Sequence, residues 1–422
     1  MPLGKLLFKG TLIIDGCSPE PYSGDVLVEG DRIAAVGRVL QTGPDVQEVD
    51  SSGYTILPGL IDCHVHLCLD GGTDPLATVA REAAEVTLAR AATNAFRQLI
   101  AGVTTVRDCG GRAHLDLLLR DCIDQGICVG PRVLASGLCL TTTGGHAHAI
   151  GREADDAREL AKGARLELKA GADQLKVMAT GGVITRGTDP RRPQYSAEEL
   201  GAVVAQATQA GKKVVAHAQA VEGIRACAQA GVASVEHGVF LDEDTARLLK
   251  NQGVWLVPTL TPSFTLLDLF RSDGVPGWTV DRARELRLKH WAGAALAIRE
   301  GVKVAAGTDA GVTLTPHGMV ATEVRLLHER GLGRYEAILA ATRWAAELLG
   351  LDDEVGTLES DKAADLILVR GNPLHDLHVL QRPVLVMKAG IVYRNELGAG
   401  PPAWPCGFGG QGGASHVGRD CC

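Results

Sequence analysis

No stretch of this chain comes near the roughly 18 consecutive apolar residues that a membrane-crossing helix needs, so a membrane-spanning role has no support. Basic residues form no long run, and at 42 against 50 acidic ones they leave a net charge of −8. A nucleic-acid partner would require a basic face that neutralises phosphates, and that class is set aside. The opening Met1-Pro2-Leu3-Gly4-Lys5-Leu6-Leu7-Phe8-Lys9 lacks a long apolar stretch followed by a small-residue cleavage site, so it is expected to be a first β-strand and not a secretory signal. Cysteine is abundant at eleven, but the residues are scattered and do not form a disulfide framework. An oxidising compartment is not indicated, and the cytoplasm is the expected location. With 422 residues, 45% hydrophobic and 22% charged, the chain can hold one large α/β domain and a smaller one.

The most telling stretch is Ile56-Leu57-Pro58-Gly59-Leu60-Ile61-Asp62-Cys63-His64-Val65-His66. It reads as an apolar strand ending in two histidines that alternation places on one face, suited to holding one metal ion. Cys63 lies between Asp62 and His64, so its sulfur should point away from the imidazoles and serve packing. Two more short apolar runs end in histidine, Val214-Val215-Ala216-His217 and Ala233-Ser234-Val235-Glu236-His237. Val302-Lys303-Val304-Ala305-Ala306-Gly307-Thr308-Asp309 ends in an aspartate. In Ala172-Asp173-Gln174-Leu175-Lys176-Val177-Met178, a lysine stands inside an apolar run, where an unpaired ammonium is costly. Each feature alone has a plain structural explanation. Together they place metal-compatible groups at five strand ends in order.

Helical segments alternate with short apolar strands between Leu57 and Leu349. Thr78–Ile100 precedes Val103–Asp108, Ala197–Ala210 precedes Val214–Ala216, and Asp242–Asn251 precedes Val254–Pro258. Ser196 with Glu199 reads as a capping box that opens the second of these helices. The rhythm fits a (β/α)8 TIM barrel, whose site is built at the C-terminal strand ends where all six candidates fall. The flanks differ, with alternating β pattern broken by Gly and Asp turns at both ends. These ends are expected to combine into one small β-sandwich, from residues 1–56 and 351–396, around a barrel of 57–350. Residues 397–422 form a Gly/Pro-rich tail, expected to be flexible and to end in Cys421-Cys422 without a functional role.

The order and spacing of these groups resemble the amidohydrolase superfamily over nearly the whole chain, to about Arg394. Lys176-Val177-Met178-Ala179-Thr180-Gly181-Gly182-Val183 and Thr188-Asp189-Pro190 resemble its branch of prolidase-like dipeptidases, carboxypeptidases and ochratoxin-type amide hydrolases. The resemblance implies six metal ligands: His64, His66, Lys176, His217, His237 and Asp309. It also implies that Lys176 is carboxylated by CO2 and bridges two divalent ions, usually zinc. One ion would take His64, His66 and Asp309, and the other His217 and His237. Asp309, with His237 at the reacting centre, would be catalytic, the aspartate acting as general base and then general acid.

Substrate groups are expected from the loops. Thr141-Thr142-Thr143-Gly144-Gly145-His146-Ala147-His148 supplies two imidazoles, and His146 matches the branch's carbonyl-facing position. A separate structural metal at His146 and His148 is the other reading of that loop. Thr185–Tyr195 carries Arg186, Arg191 and Arg192, and a guanidinium fork suits a substrate carboxylate, with Arg186 the first candidate. Tyr195 matches a substrate-lining tyrosine. The expected activity is removal of a C-terminal residue from dipeptides or N-acyl amino acids, ochratoxin-type amides included. The partner is a small-molecule substrate, and the assembly a homo-oligomer, with an octamer what the resemblance suggests. Hydrolysis of a cyclic amide or a carbamate is the alternative. Ring deamination is disfavoured by Lys176, and a non-catalytic assembly protein is disfavoured by the intact set.

Overall fold

The computed structural model describes residues 4–397 apart from Thr42 and Ser272; the expected tail beyond Leu397 lies outside the described residues. Both ends of the chain meet in one eight-stranded mixed sheet. The N-terminal part supplies Lys5–Ile13, Tyr22–Glu29, Arg32–Gly37, Val46–Asp50 and Tyr54–Pro58, and the C-terminal part Leu366–Arg370, Leu385–Lys388 and Ile391–Asn395. The halves join where Tyr54–Pro58 runs antiparallel to Leu366–Arg370, with Ile56 opposite Leu368. Phe8, Ile13, Val26, Ile33, Ile56, Leu366, Leu368 and Met387 form its core, one per alternate position along the strands. Both ends of the chain thus contribute strands to one sheet around a single core.

The central segment forms parallel strands with helices between them. Leu60–Val65, Val103–Asp108 and Arg132–Ala135 make a three-stranded sheet; Gly151–Glu153, Cys139–Thr141, Gln174–Met178, Lys213–Ala218, Ser234–His237 and Trp255–Val257 make a six-stranded one. A closed eight-stranded ladder is not formed among the described residues, for two local reasons. The third strand breaks at Ser136-Gly137-Leu138, where Gly137 adopts φ +69°. There the amides of Gly137 and Leu138 bond the carboxylates of Asp116 and Glu167 in place of a neighbouring strand. The segment carrying Val304 and Asp309 touches its neighbours through single bridges, Leu256 to Val304 and Val65 to Ala310.

The helices have local causes. Ser196 and Glu199 form the expected capping box of Ala197–Gln209, and Asp242 caps Glu243–Gln252 through the Thr245 amide. The expected helix Thr78–Ile100 is two, Pro75–Arg81 and Ala84–Ile100, because Glu82 and Ala83 are extended. Glu82 uses that break to bind Arg90, Thr87 and, through its carbonyl, Arg112. No helix among the described residues is long and apolar enough to cross a membrane.

Candidate metal centre

The six sequence candidates converge at the C-terminal ends of the parallel strands. His64 and His66 leave Leu60–Val65 on one face, and Asp309 is pulled beside them by its own amide, which bonds the His64 carbonyl at 2.7 Å. Strand register sets the others. Met178 pairs with His217, and Ala218 with His237, so Lys176, His217 and His237 come from three adjacent strands, with His237 one position out of step with His217. His237 and Asp309 have φ of +74° and +53°. That left-handed conformation is strained for residues with a side chain, and turns both inward as their strands end.

The geometry is close. The Nε2 atoms of His64 and His66 each lie 3.4 Å from the same Oδ1 of Asp309. One ligand atom from each of these three residues falls within 4.8 Å of the others, a spacing one ion can span. Ring centroids run 5.2 Å from His64 to His237 and 4.5 Å from His237 to His217.

Hydrogen bonds decide which nitrogen each imidazole offers. His64 Nδ1 donates to Glu236 at 2.6 Å and His66 Nδ1 to the Gly110 carbonyl at 2.9 Å, which leaves both Nε2 lone pairs facing Asp309. His217 is the reverse, since its Nε2 donates to the Gly181 carbonyl at 3.0 Å and frees Nδ1. Burial, reinforced by the Lys176 charge, lowers the His64 pKa to about 4, and burial with neighbouring imidazoles holds His217 and His237 well below the usual value. Burial opposes ionisation of Asp309, but the surrounding imidazoles outweigh it and keep the carboxyl well below its ordinary range. His64, His217 and His237 are thus held as neutral imidazoles, the protonation state in which they bind metal, whereas for His66 the Asp309 carboxylate outweighs burial and raises the pKa.

Lys176 is the exception. It is 1% exposed, and its Nζ has no hydrogen-bond partner among the described residues. A buried amine among imidazoles is unfavourable as an ammonium and has no acceptor to receive its protons. The donor set consequently fits divalent ions better once that nitrogen carries an anionic group.

Two contributors escaped the sequence reading. Arg107 is wholly buried, donating to Glu236 Oε1 at 2.8 Å, to Ser234 at 3.0 Å and to the Cys63 carbonyl at 2.5 Å. Arg107 also holds the Glu236 carboxyl down to about 2 against the raising effect of burial. Glu236 in turn fixes the His64 tautomer. The cost argument that singled out Lys176 applies equally to these charges, each inside an apolar strand, and their opposite signs point to a pair. Glu236→Gln strands the buried guanidinium and is expected to cost about 3–5 kcal/mol in urea unfolding. A loss under about 1 kcal/mol, the worth of an exposed pair, would mean that the pair holds nothing together.

The cluster floors a largely apolar cavity of roughly 950 Å3 including its mouth, walled by Leu69, Ile150, Met178, Val183, Leu286 and Val312. His146 lines it, with Nδ1 2.8 Å from the Thr185 hydroxyl and its ring 4.3 Å from His217. His148 is exposed and bonds back to Gly145, so the two do not converge on a shared ion. Tyr195 is not brought to the cavity; its hydroxyl donates to the Ala154 carbonyl at 2.6 Å. Arg186 is exposed and also outside the lining. The guanidinium at the wall is Arg287, forked onto Asp268 at 2.8 and 2.5 Å and 4.2 Å above the Trp291 ring. Nothing in its local sequence marks it, because it reaches the wall from the long helix Gly277–Glu300 on a face shared with Ala283, Leu286 and His290. Cys63, Cys109 and Cys139 are buried thiols whose pKa burial raises, and Cys63 packs with Ile61, Val257 and Ala305 away from the cluster.

Comparison with known proteins agrees with this geometry. Residues 55–392 match the model of the Amidohydrolase family. Ochratoxinase of Aspergillus niger is 31% identical, over 94% of this chain and 88% of its own length. Among solved structures, a Xaa-Pro dipeptidase with bound methionine in the active site is similar at 32% identity and a TM-score of 0.85, covering 93% of this chain and 100% of that one. A prolidase complexed with N-methylphosphonate-L-proline is similar at 29% identity and a TM-score of 0.85, with the same coverage. These neighbours imply a TIM barrel for the parallel strands.

Proposed function

The chain belongs to the amidohydrolase family and is a hydrolase, and we propose that it cleaves an amide or peptide bond with two divalent metal ions. The reading is that it releases a C-terminal amino acid from dipeptides or N-acyl amino acids, ochratoxin-type amides included. One observation carries it: the buried Lys176 nitrogen, without a hydrogen-bond partner among the described residues, beside four imidazoles and a carboxylate. Reaction with CO2 forms an N–C bond, loses a proton and turns the amine into a carbamate with two anionic oxygens. His64, His66 and Asp309 would hold one ion and His217 and His237 the other, with the carbamate supplying the remaining anionic ligand. The ions, which we take as zinc, supply Lewis acidity toward the scissile carbonyl and toward the attacking water.

The chain's residues do the rest. Asp309, beside the His64 and His66 imidazoles, accepts the proton from the attacking water on its carboxylate and returns it to the leaving nitrogen. His237, turned inward by its backbone, borders the reacting carbonyl, while His146 offers its free ring edge to the carbonyl oxygen. The apolar walls exclude water and favour a bulky apolar acyl group. Closure of the strands into a (β/α)8 barrel of residues 57–350, with the two ends as a separate β-domain, is part of the same proposal. A cytoplasmic homo-oligomer completes it.

A panel of dipeptides and N-acyl amino acids assayed on zinc-loaded protein tests the reading, and no turnover of any member would overturn it. Amide-capping the substrate carboxylate is expected to cost roughly 10²-fold in kcat/KM, the effect of stranding a charge in a partly dry site. Arg287→Met should lose a similar factor on the free acid and little on the capped form, whereas the exposed Arg186→Met should stay within about twofold, the range of a surface substitution. Capped substrates that turn over as fast as free acids would move hydrolysis of a cyclic amide or a carbamate ahead.

A further inference from the structure

Gln219 is a polar group in the cavity that the mechanism does not use. It is 5% exposed, lines the cavity, and its Oε1 has no hydrogen-bond partner among the described residues. Its backbone is pinned from both sides: the amide donates to the Thr180 hydroxyl at 3.0 Å, and the carbonyl accepts from the Phe240 amide at 3.0 Å. Three other polar groups of the wall are already engaged. The Thr259 hydroxyl meets His237 Nδ1 at 2.6 Å, Ser263 bonds the Leu260 carbonyl and Trp291, and His290 bonds the Pro258 carbonyl at 2.6 Å. A buried acceptor left unmet costs free energy, and native proteins rarely keep one without a use.

The residue stands two positions after His217, just past the end of Lys213–Ala218 and beside the strand-end cluster that lines the same cavity. An amide oxygen there needs a proton donor from the substrate. A carbonyl or carboxylate has none to give, but the scissile N–H, one bond from the reacting carbon, does. We propose that Gln219 accepts a hydrogen bond from the scissile N–H and so makes the site selective for secondary amides. Bonds to proline or another N-alkylated residue carry no such proton and leave the acceptor unmet. The inference rests on the amide-hydrolase reading and narrows its leaving group to amino acids with a free N–H in the bond.

An N-acylglycine and the matching N-acylsarcosine differ only by a methyl on that nitrogen, and their kcat/KM ratio on the zinc-loaded enzyme is the readout. Wild type is expected to favour the glycine compound by roughly 10- to 100-fold, the worth of one buried hydrogen bond left unmade. Gln219→Met, of similar shape without the acceptor, should bring the ratio to within about threefold of unity by slowing the glycine compound alone. Gln219→Asn withdraws the amide by one methylene and should compress the ratio in the same way if the methionine variant does not fold. A ratio that neither variant moves, with metal content and melting temperature as in wild type, overturns the inference and leaves the amide-hydrolase reading standing. Failure of wild type on both compounds and on the wider N-acyl panel overturns that reading, and the inference with it.

Discussion

Lys176→Ala is expected to drop metal content from about two ions per chain toward one or none, and to lower kcat on the order of 10³-fold or more. The expectation follows from where the side chain sits. Its amine is buried with no hydrogen-bond partner among the described residues, so its removal breaks no hydrogen bond, and the variant should stay folded. What it removes is the anion that would tie the two halves of the donor set together. Without it, His217 and His237 are two neutral imidazoles, too few for a tight divalent site, while His64, His66 and Asp309 retain three ligands. Several kcal/mol of charge stabilisation would go with the lost ion, which corresponds to the stated rate loss. Short carboxylates added to the variant should restore part of both metal content and rate, since they can fill the space left by the carbamate. A variant that keeps two ions per chain and works within tenfold of wild type would end the bridging role of Lys176. So would a mass measurement finding its amine unmodified in active, metal-loaded protein.

That lysine was legible in the sequence because the reason for its strangeness is local: an ammonium inside an apolar run is expensive wherever the strand ends up. His64 and His66 were legible through strand alternation, and His217, His237 and Asp309 through recurrence of one pattern, an apolar run ending in a ligand. The substrate wall was not. Arg186 and Tyr195 lie in the right loop, but a loop residue's direction is set by tertiary bonds no periodicity reports. Tyr195 spends its hydroxyl on the Ala154 carbonyl, while Arg287 arrives from a helix distant in sequence. The pairing of both chain ends was readable from their shared texture. The breaks at Gly137 and at Glu82-Ala83 were not, because each is stabilised by side-chain bonds to partners elsewhere in the chain.

Asp309→Asn should lower kcat on the order of 10²–10⁴-fold, the usual worth of general acid–base catalysis, with a much smaller change in substrate binding. The substitution is nearly isosteric, and the Asp309 amide, which bonds the His64 carbonyl at 2.7 Å, is untouched. The backbone at φ +53° also tolerates asparagine better than most residues, so the position should hold its shape. What changes is the side chain's chemistry. The carboxylate carries two acceptor oxygens, one of them 3.4 Å from Nε2 of both His64 and His66, and the imidazoles keep it ionised despite burial. An amide keeps one weak ligand oxygen and has no site basic enough to take a proton from water. Chemistry should therefore slow while the ions remain, which separates this variant from Lys176→Ala, where the ions leave. The distinction is measurable: metal content near two per chain with a large fall in kcat supports a proton shuttle. Loss of metal in step with activity would reduce Asp309 to a ligand. Retention of both ions with a rate within tenfold of wild type would assign the proton to another group, with His237 and His146 the imidazoles of the cavity to test next.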